Sequence, residues 1–368
     1  MLAFPCVGHP HAQETDNWWD MEWARPANTR SQVDRAGELL VKGGSPGDYA
    51  NAILLVDNWR VSHAYPMRVF QKTLRYRARQ TYAHANVVRR LKRFASIEAK
   101  LQNIPGMQLS RMQDIGGCRA IVSNVALVDR LARKYKETGY HEFVREFDYL
   151  RNPKSSGYRG IHLVYRYRAR DDNTRAWDRL SVEIQLRSNL QHAWATAVEA
   201  VDTFTGQALK AGHGEPRWDR FFALMGTALA RREKTESIPN TPQRVASLRQ
   251  ELRALDAELN AVESLRAYRT AIRVTGGQPM ATAHADLWLL QLDFEAHQFT
   301  AWPYRSDQME EATTHLSELE GQVRGDLTKN VVLVGADSLD AVRRAYPNYL
   351  LDTQFFVEEV ERALGRHR

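Results

Sequence analysis

Residues 180–188, LSVEIQLRS, alternate strictly between apolar and polar side chains. Val182, Ile184 and Leu186 face one way and Glu183, Gln185 and Arg187 the other, as in a strand with one buried and one polar face. A helical pattern, NLQHAWATAVEAVDTF, follows directly. Upstream, GGCRAIVSN after Asp114 reads as a short β-rich run, ALVDRLARKYKET as a helix and YRGIHLVYRYRAR as a strand. The pattern predicts an α/β (α+β) fold: a small mixed β-sheet flanked by helices, with polar residues projecting from one sheet face.

Around this centre the chain reads as four parts: an N-terminal segment (1–45), an α/β domain (46–235), a helical linker arm (236–272) and a small C-terminal α/β module (273–368). The stretch DYANAILLVDNWRVSHAYP carries an apolar helical stripe that Pro66 ends or restarts. The next helix, about 68–82, puts Arg68, Lys72, Arg75 and Arg79 on one face. ANVVRRLKRFASIEAKL reads as a third helix, with Val87, Leu91, Phe94 and Ile97 inward. Apolar residues at 245, 248, 252, 255, 259, 262 and 265 predict one long amphipathic helix or coiled-coil arm. In the C-terminal module, ADLWLLQLDFE and NVVLVGAD read as strands, each flanked by helical patterns.

Composition limits what such a chain can do. Apolar content of 43% supports real cores, and no apolar run reaches the ~20 residues of a membrane span. The N-terminus lacks a basic segment followed by an apolar one, so no signal peptide is expected. Cys6 and Cys118 alone fit a reducing cytoplasm and cannot build a cysteine-based zinc site. The net charge of +7 is local: residues 60–100 hold eleven Lys/Arg against Glu98, or +10, leaving −3 elsewhere. So uncompensated a patch points to a polyanion, though a solvated helix face is the plainer reading.

Several polar residues can converge on one chemistry. Asp114 before one strand and Glu183 on another can hold Mg²⁺, which binds phosphates through one or two carboxylates plus water. Arg90, Lys92 and Lys100 precede Asp114, and Arg119 follows it. Tyr158, delivered by the turn NPKSSG, can stack on a base. His162 and Arg187 add donors, and Lys154 adds charge. Taken singly, each has a plainer reading: Asp114 as a cap, Glu183 as a surface strand residue, Tyr158 as a hairpin edge, His162 as a core histidine.

Together, RLKRFASIEAK, DIGGCRAIV, NPKSSGYRGIHL and VEIQLRS resemble, in order and spacing, the RelA/SpoT alarmone-synthetase domain over roughly residues 50–205. The absence of a His-Asp dipeptide implies that the hydrolase domain of the long members is missing. The resemblance implies that Arg90 and Arg119 sandwich the adenine of ATP and that Lys92 and Lys100 hold its phosphates. It implies Mg²⁺ on Asp114 and Glu183, with Glu183 assisting deprotonation of the attacking hydroxyl. Tyr158 would stack on the acceptor's base, and Lys154, His162, Gln185 and Arg187 would support acceptor or phosphates. The implied reaction moves the β,γ-pyrophosphate of ATP to a ribose 3′-hydroxyl and releases AMP.

Ser156 and Gly160 depart from the housekeeping synthetases and resemble the toxic small synthetases, several of which modify the 3′-terminal adenosine of tRNA. Arg68, Lys72, Arg75 and Arg79 would then track the phosphates of an acceptor stem. Tyr346 and Tyr349, a Y-x-x-Y in RRAYPNYLLD, can pack around the Pro347 turn. They also resemble the C-terminal pseudo-zinc-finger-like module of CapRel-type fused toxin–antitoxin antiphage proteins, which lacks metal ligands and where such tyrosines block the ATP site. That resemblance implies an autoinhibited, monomeric, cytoplasmic enzyme released by a phage protein, with a capsid protein as the expected trigger. Free-nucleotide alarmone synthesis and a non-catalytic RNA-binding role are the alternatives.

Overall fold

The computed structural model describes residues 23–366 apart from 138, 206–214, 271–272, 275–284, 294, 297, 327 and 346–352. Helix α1 (Arg30–Lys42) opens on a capping box: the Thr29 side chain accepts from the Gln32 amide and Gln32 reaches back. Helix α2 (Pro46–Val61) starts on a Ser45 cap with Pro46 at its first position. Pro66 falls in the first turn of α3 (Ala64–Thr81), where its missing N–H breaks no helical bond.

Residues 85–101, expected as one helix, divide. Asn86–Leu91 is strand β1 and Phe94–Asn103 is helix α4. Val87 and Leu91 fit a helical stripe, but pairing along β2 (Gly116–Val122), from Asn86–Ile121 to Leu91–Gly116, wins. After β2 come α5 (Val125–Glu137), β3 (Glu142–Asp148), β4 (Ile161–Arg166), β5 (Ser181–Ser188) and α6 (Asn189–Thr205). Then follow α7 (Pro216–Glu233), α8 (Val245–Leu259), α9 (Ala261–Thr270), the two-residue β6 (Arg273–Val274) and β7 (Leu287–Asp293). The chain ends with β8 (Gln298–Tyr304), α10 (Met309–Gln322), β9 (Lys329–Gly335), α11 (Leu339–Ala345) and α12 (Gln354–Leu364). No helix among the described residues is long and apolar enough to cross a membrane.

The C-terminal strands extend the central sheet instead of forming a second one. Among the described residues, nine strands run β3–β4–β5–β2–β1–β9–β7–β8–β6. Among the described strand pairs, only β2–β5 and β6–β8 are parallel. One face carries Leu91, Cys118, Ala120, Ile184, Leu289 and Leu333 into a core roofed by α3, α5 and α10. On the other face, Val88, Ile121, Leu290, Val332 and Val334 pack under Ala341, Val342 and Ala345 of α11. That second face is the one from which Glu183, Gln185 and Arg187 project.

The apolar repeat over 245–265 is neither one helix nor an arm. Asn260 adopts a left-handed conformation (φ 49°) and separates α8 from α9. Leu248, Leu252, Val262 and Leu265 are buried in a core shared with α6, α7 and Phe356, Val357 and Val360 of α12.

His63, at the α2–α3 junction, is 1% exposed and hydrogen-bonds the Trp59 carbonyl at 2.8 Å through Nδ1. Burial lowers its pKa to about 4. A histidine kept neutral in the fold but free to protonate when unfolded makes acid destabilising. The loss begins as pH drops below about 6.5 and is complete below about 4. Thermal melts should therefore show the native chain losing stability between pH 7 and 5, with a shallower loss for His63→Gln; equal slopes would remove His63 as the cause.

Candidate active site

Strand register places the polar side chains. Directly opposed residues share a sheet face. One row reads Phe147, His162, Gln185, Arg119 and Val88 across β3, β4, β5, β2 and β1. The next row on that face reads Arg145, Val164, Glu183, Gly117, Arg90 and, on β9, Val334. Gly117 puts no side chain between Glu183 and Arg90. Four strands distant in sequence thus bring Arg90, Arg119, His162, Glu183 and Gln185 to one surface.

Asp114, just before β2, is gripped by two cations. Lys92 Nζ donates to Oδ2 at 2.8 Å and Lys100 Nζ to Oδ1 at 2.9 Å. Burial alone would raise this carboxyl, but Lys92 and Lys100 outweigh it and bring it down to about 2. Asp114 is therefore a carboxylate at any physiological pH.

Glu183 begins a chain of hydrogen bonds. His162 Nδ1 donates to Oε1 at 2.9 Å and Gln185 Nε2 to Oε2 at 2.7 Å, so both carboxylate oxygens are oriented. The other His162 nitrogen bonds the Tyr158 hydroxyl, which also accepts from Arg187 Nη2 at 3.0 Å. Burial would lower the His162 imidazole, yet the Tyr158 hydroxyl and the Glu183 carboxylate push it upward. Burial and Asp114 oppose ionisation of Glu183, and His162 overrules them, so its pKa is lowered. Asp114 and Glu183 thus form an ionised pair of hard oxygen donors, a set that fits Mg²⁺ and not a thiolate or imidazole metal. No cluster of three or more His, Cys, Asp or Glu suited to a metal occurs among the described residues.

Arg90, Arg119, Lys154, Tyr158, His162, Gln185 and Arg187 line one cavity of about 260 Å³, with Trp194 and Phe222 behind them. The turn that delivers Tyr158 is held by close backbone approach. Gly157 (φ 99°) sits so near α7 that an added Cβ would stand 2.6 Å from the Phe222 carbonyl, and one on Gly226 would stand 2.8 Å from Gly157 Cα. Next to it, Arg159 is 2% exposed and bonds Glu233 at 2.7 Å. Glu233 also takes bonds from Ser188 and Gln191, joining turn, β5 and α7. Sequence reasoning missed Trp194, Gly226 and Glu233. Gly226 did carry a signal, since glycine inside a helix costs about 1 kcal/mol against alanine and asks for a packing reason.

The C-terminal segment reaches this surface. Arg119 Nη1 donates to the Ala345 carbonyl at 3.0 Å, and His192 Nε2 lies 3.1 Å from the Arg344 carbonyl. The α3 stripe is not brought to the cavity. Arg68 pairs with Asp286 at 2.9 Å, while Arg75 and Arg79 pair with Asp337 at 2.5 and 3.2 Å. Lys72 borders a shallow groove with Arg75, Tyr76 and Arg79. Tyr346 and Tyr349 lie outside the described residues.

Gly226→Ala should lower unfolding free energy in denaturant titration by about 1–3 kcal/mol, the usual cost of overpacking. Gly321→Ala, where a Cβ meets nothing within 4 Å, is the control. Equal stability of the two variants would refute the close approach.

Comparison with known proteins falls on the same stretch. Residues 89–204 match the family model described as the region found in RelA / SpoT proteins. The GTP pyrophosphokinase YjbM of Bacillus subtilis (strain 168) is 33% identical over 115 residues, which are 30% of this chain and 52% of that protein. The match thus spans about half the length of that relative. Among solved structures, small alarmone synthetase 1 of Bacillus subtilis is similar at TM-score 0.37 and 23% identity, covering 46% of this chain and 89% of that one. A GTP pyrophosphokinase family protein of Streptococcus pneumoniae gives 0.35 and 22%, covering 56% and 92%. Asp114, Arg119, Tyr158, His162 and Glu183 therefore all lie in the stretch over which this chain is similar to the RelA/SpoT synthetase region.

Proposed function

We propose that this chain is an ATP-dependent pyrophosphokinase that transfers the β,γ-pyrophosphate of ATP to the 3′-hydroxyl of tRNA, restrained by its own C-terminal segment. The observation that carries the reading is the oriented carboxylate Glu183 on the sheet face that also bears Arg90, Arg119 and Arg187, close to ionised Asp114, which Lys92 and Lys100 hold. Such a face suits phosphoryl transfer, where positioning and charge neutralisation supply most of the catalysis.

In this reading Arg90 and Arg119 hold the adenine, and Lys92 and Lys100 turn from Asp114 to the phosphates. Glu183 accepts the proton of the ribose hydroxyl as its oxygen bonds the β-phosphorus; the bond from that phosphorus to the bridging oxygen breaks and AMP departs. Asp114 and Glu183 are the residues that would hold Mg²⁺, whose charge would offset that of the phosphates. His162 and Gln185 keep the Glu183 carboxylate aimed, and Lys154 with Arg187 flanks the acceptor.

Two sets of contacts support restraint. The Ala345 carbonyl engages Arg119, and Ala345 immediately precedes Tyr346. Asp286 and Asp337 occupy Arg68, Arg75 and Arg79, the track we assign to the acceptor stem. Withdrawal of the C-terminal segment would free both at once. We assign that withdrawal to a phage protein, with a capsid protein the first candidate, which makes the chain an antiphage device that halts translation.

The test incubates the full chain with γ-labelled ATP and either bulk tRNA or free GDP, GTP and ATP. Label is expected on the tRNA 3′ end. Glu183→Gln should lower the rate by about 10²–10⁴, and Tyr349→Ala should raise it. Label on free nucleotides alone would replace tRNA with a nucleotide acceptor. Transfer to no acceptor, even with Tyr349→Ala, would sink the enzymatic reading in favour of a binding module.

A further inference from the structure

The row that passes through His162 continues past the cavity onto edge strand β3. There it ends in side chains that no hydrophobic core uses. Phe147 opposes His162, and Tyr149 lies edge-on to His162 at 5.3 Å and to Tyr158 at 5.6 Å. The Phe147 and Tyr149 rings are parallel within 4°, with centroids 5.9 Å apart. Both are only partly buried, and neither belongs to any of the three core clusters.

Cations interleave with these rings. Arg145 lies over Phe147 at 5.8 Å, and Lys154 lies over Tyr149 at 4.7 Å and over Tyr158 at 5.5 Å. Arg187 completes the series over Tyr158 at 5.2 Å. Acids along the strand are already paired: Glu142 with Arg166, Glu146 with Lys136 and Asp148 with Arg151. The strip therefore presents aromatic faces and positive charge together.

A protein strand adding to this edge is the competing use. It is disfavoured, because the β3–β4 register shifts between Phe143 and Arg145 and the exposed Arg145 stands on the edge. Aromatic rings alternating with cations match single-stranded nucleic acid, whose bases stack on the rings while its phosphates meet the charges.

We infer that Phe147 and Tyr149, with Arg145 and Lys154, form a stacking platform for the unpaired nucleotides of a single-stranded RNA end, leading its last nucleotide to Tyr158 in the cavity. This deepens the RNA-acceptor reading proposed above and rests on it for the direction of the strand. A free mononucleotide fills the cavity alone and has no use for the platform. The platform also lies at the sheet edge opposite the C-terminal strands.

Binding is measured by fluorescence anisotropy on the full chain without ATP, using a short single-stranded oligoribonucleotide ending in CCA. Tyr149→Ala and Phe147→Leu should each weaken binding roughly tenfold, as loss of one stacked base does, while Tyr149→Phe should bind as the native chain. Arg145→Gln should reduce the slope of log K against log salt by about 0.7, the single-strand value for one lost phosphate contact. Melting temperatures of all four variants are compared with the native chain, and Phe147→Leu keeps the platform testable if Tyr149→Ala unfolds. If no acceptor is labelled but RNA affinity falls as stated, the platform stands and the enzymatic reading fails. If folded Phe147→Leu and Tyr149→Ala bind the oligoribonucleotide as tightly as the native chain, or if none binds, the platform is wrong.

Discussion

The seam between β1 and β9 is the constraint on which the rest of this molecule depends. The two strands pair at Arg89–Gly335 and Arg90–Val334, whereas β7 and β9 pair from Leu287–Gly335 through Asp293–Lys329. Arg89 is 1% exposed, and burial lowers its guanidinium to about 9, so the core holds a cation at neutral pH. Gln71 serves both sides of the seam: its amide nitrogen donates to the Gly335 carbonyl at 3.0 Å, and its oxygen accepts from Arg89. Only glycine fits opposite, since an added Cβ on residue 335 would stand 2.5 Å from Arg89 Cζ. A short junction around a desolvated charge is weaker than one between apolar strands, because a buried ion gains little unless every donor is met. Here Arg89 Nε and Nη2 have no hydrogen-bond partner among the described residues.

This seam couples the C-terminal segment to the candidate site. Arg90, the next residue after Arg89, lines the cavity, and β9 leads through a short bend to α11, whose final carbonyl binds Arg119. Flanking ion pairs reinforce the seam unequally. Arg68 and Asp286 are 8% and 26% exposed, so removing one partner strands a largely buried charge. Arg79 and Asp337, at 59% and 41%, contribute at most about 1 kcal/mol. Arg60, 1% exposed between Asp57 and Glu320, ties α2 to α10 in the same way. Sheet continuity gives the segment its position, and the buried pairs give it its hold.

Much of the site was legible because it depends on local alternation. Val182–Ile184–Leu186 against Glu183–Gln185–Arg187 showed which side chains share a polar face, and the structure puts them there. The strand at 86–91 was hidden because Val87 and Leu91 satisfy both periods, and only β2 decides between them. The partners of the α3 arginines were hidden for a different reason. Asp286 lies 218 residues from Arg68 and Asp337 lies 258 from Arg79, so a stripe that reads as unpaired in sequence is paired in the fold. The C-terminal strands likewise read as a module of their own, because strand pairing across that distance leaves no local mark. Glu233 was invisible for want of any motif, although it anchors the turn that carries Tyr158.

The central claim is that the C-terminal segment, held by Asp286 and Asp337, competes with ATP for the arginines of the sheet face. Calorimetric affinity for a non-hydrolysable ATP analogue tests it most directly, comparing the native chain with the Asp286→Ala/Asp337→Ala double variant. Tighter binding by the variant, about tenfold for each 1.4 kcal/mol of lost hold, is the predicted result. Equal affinity in a variant that remains folded would contradict the account.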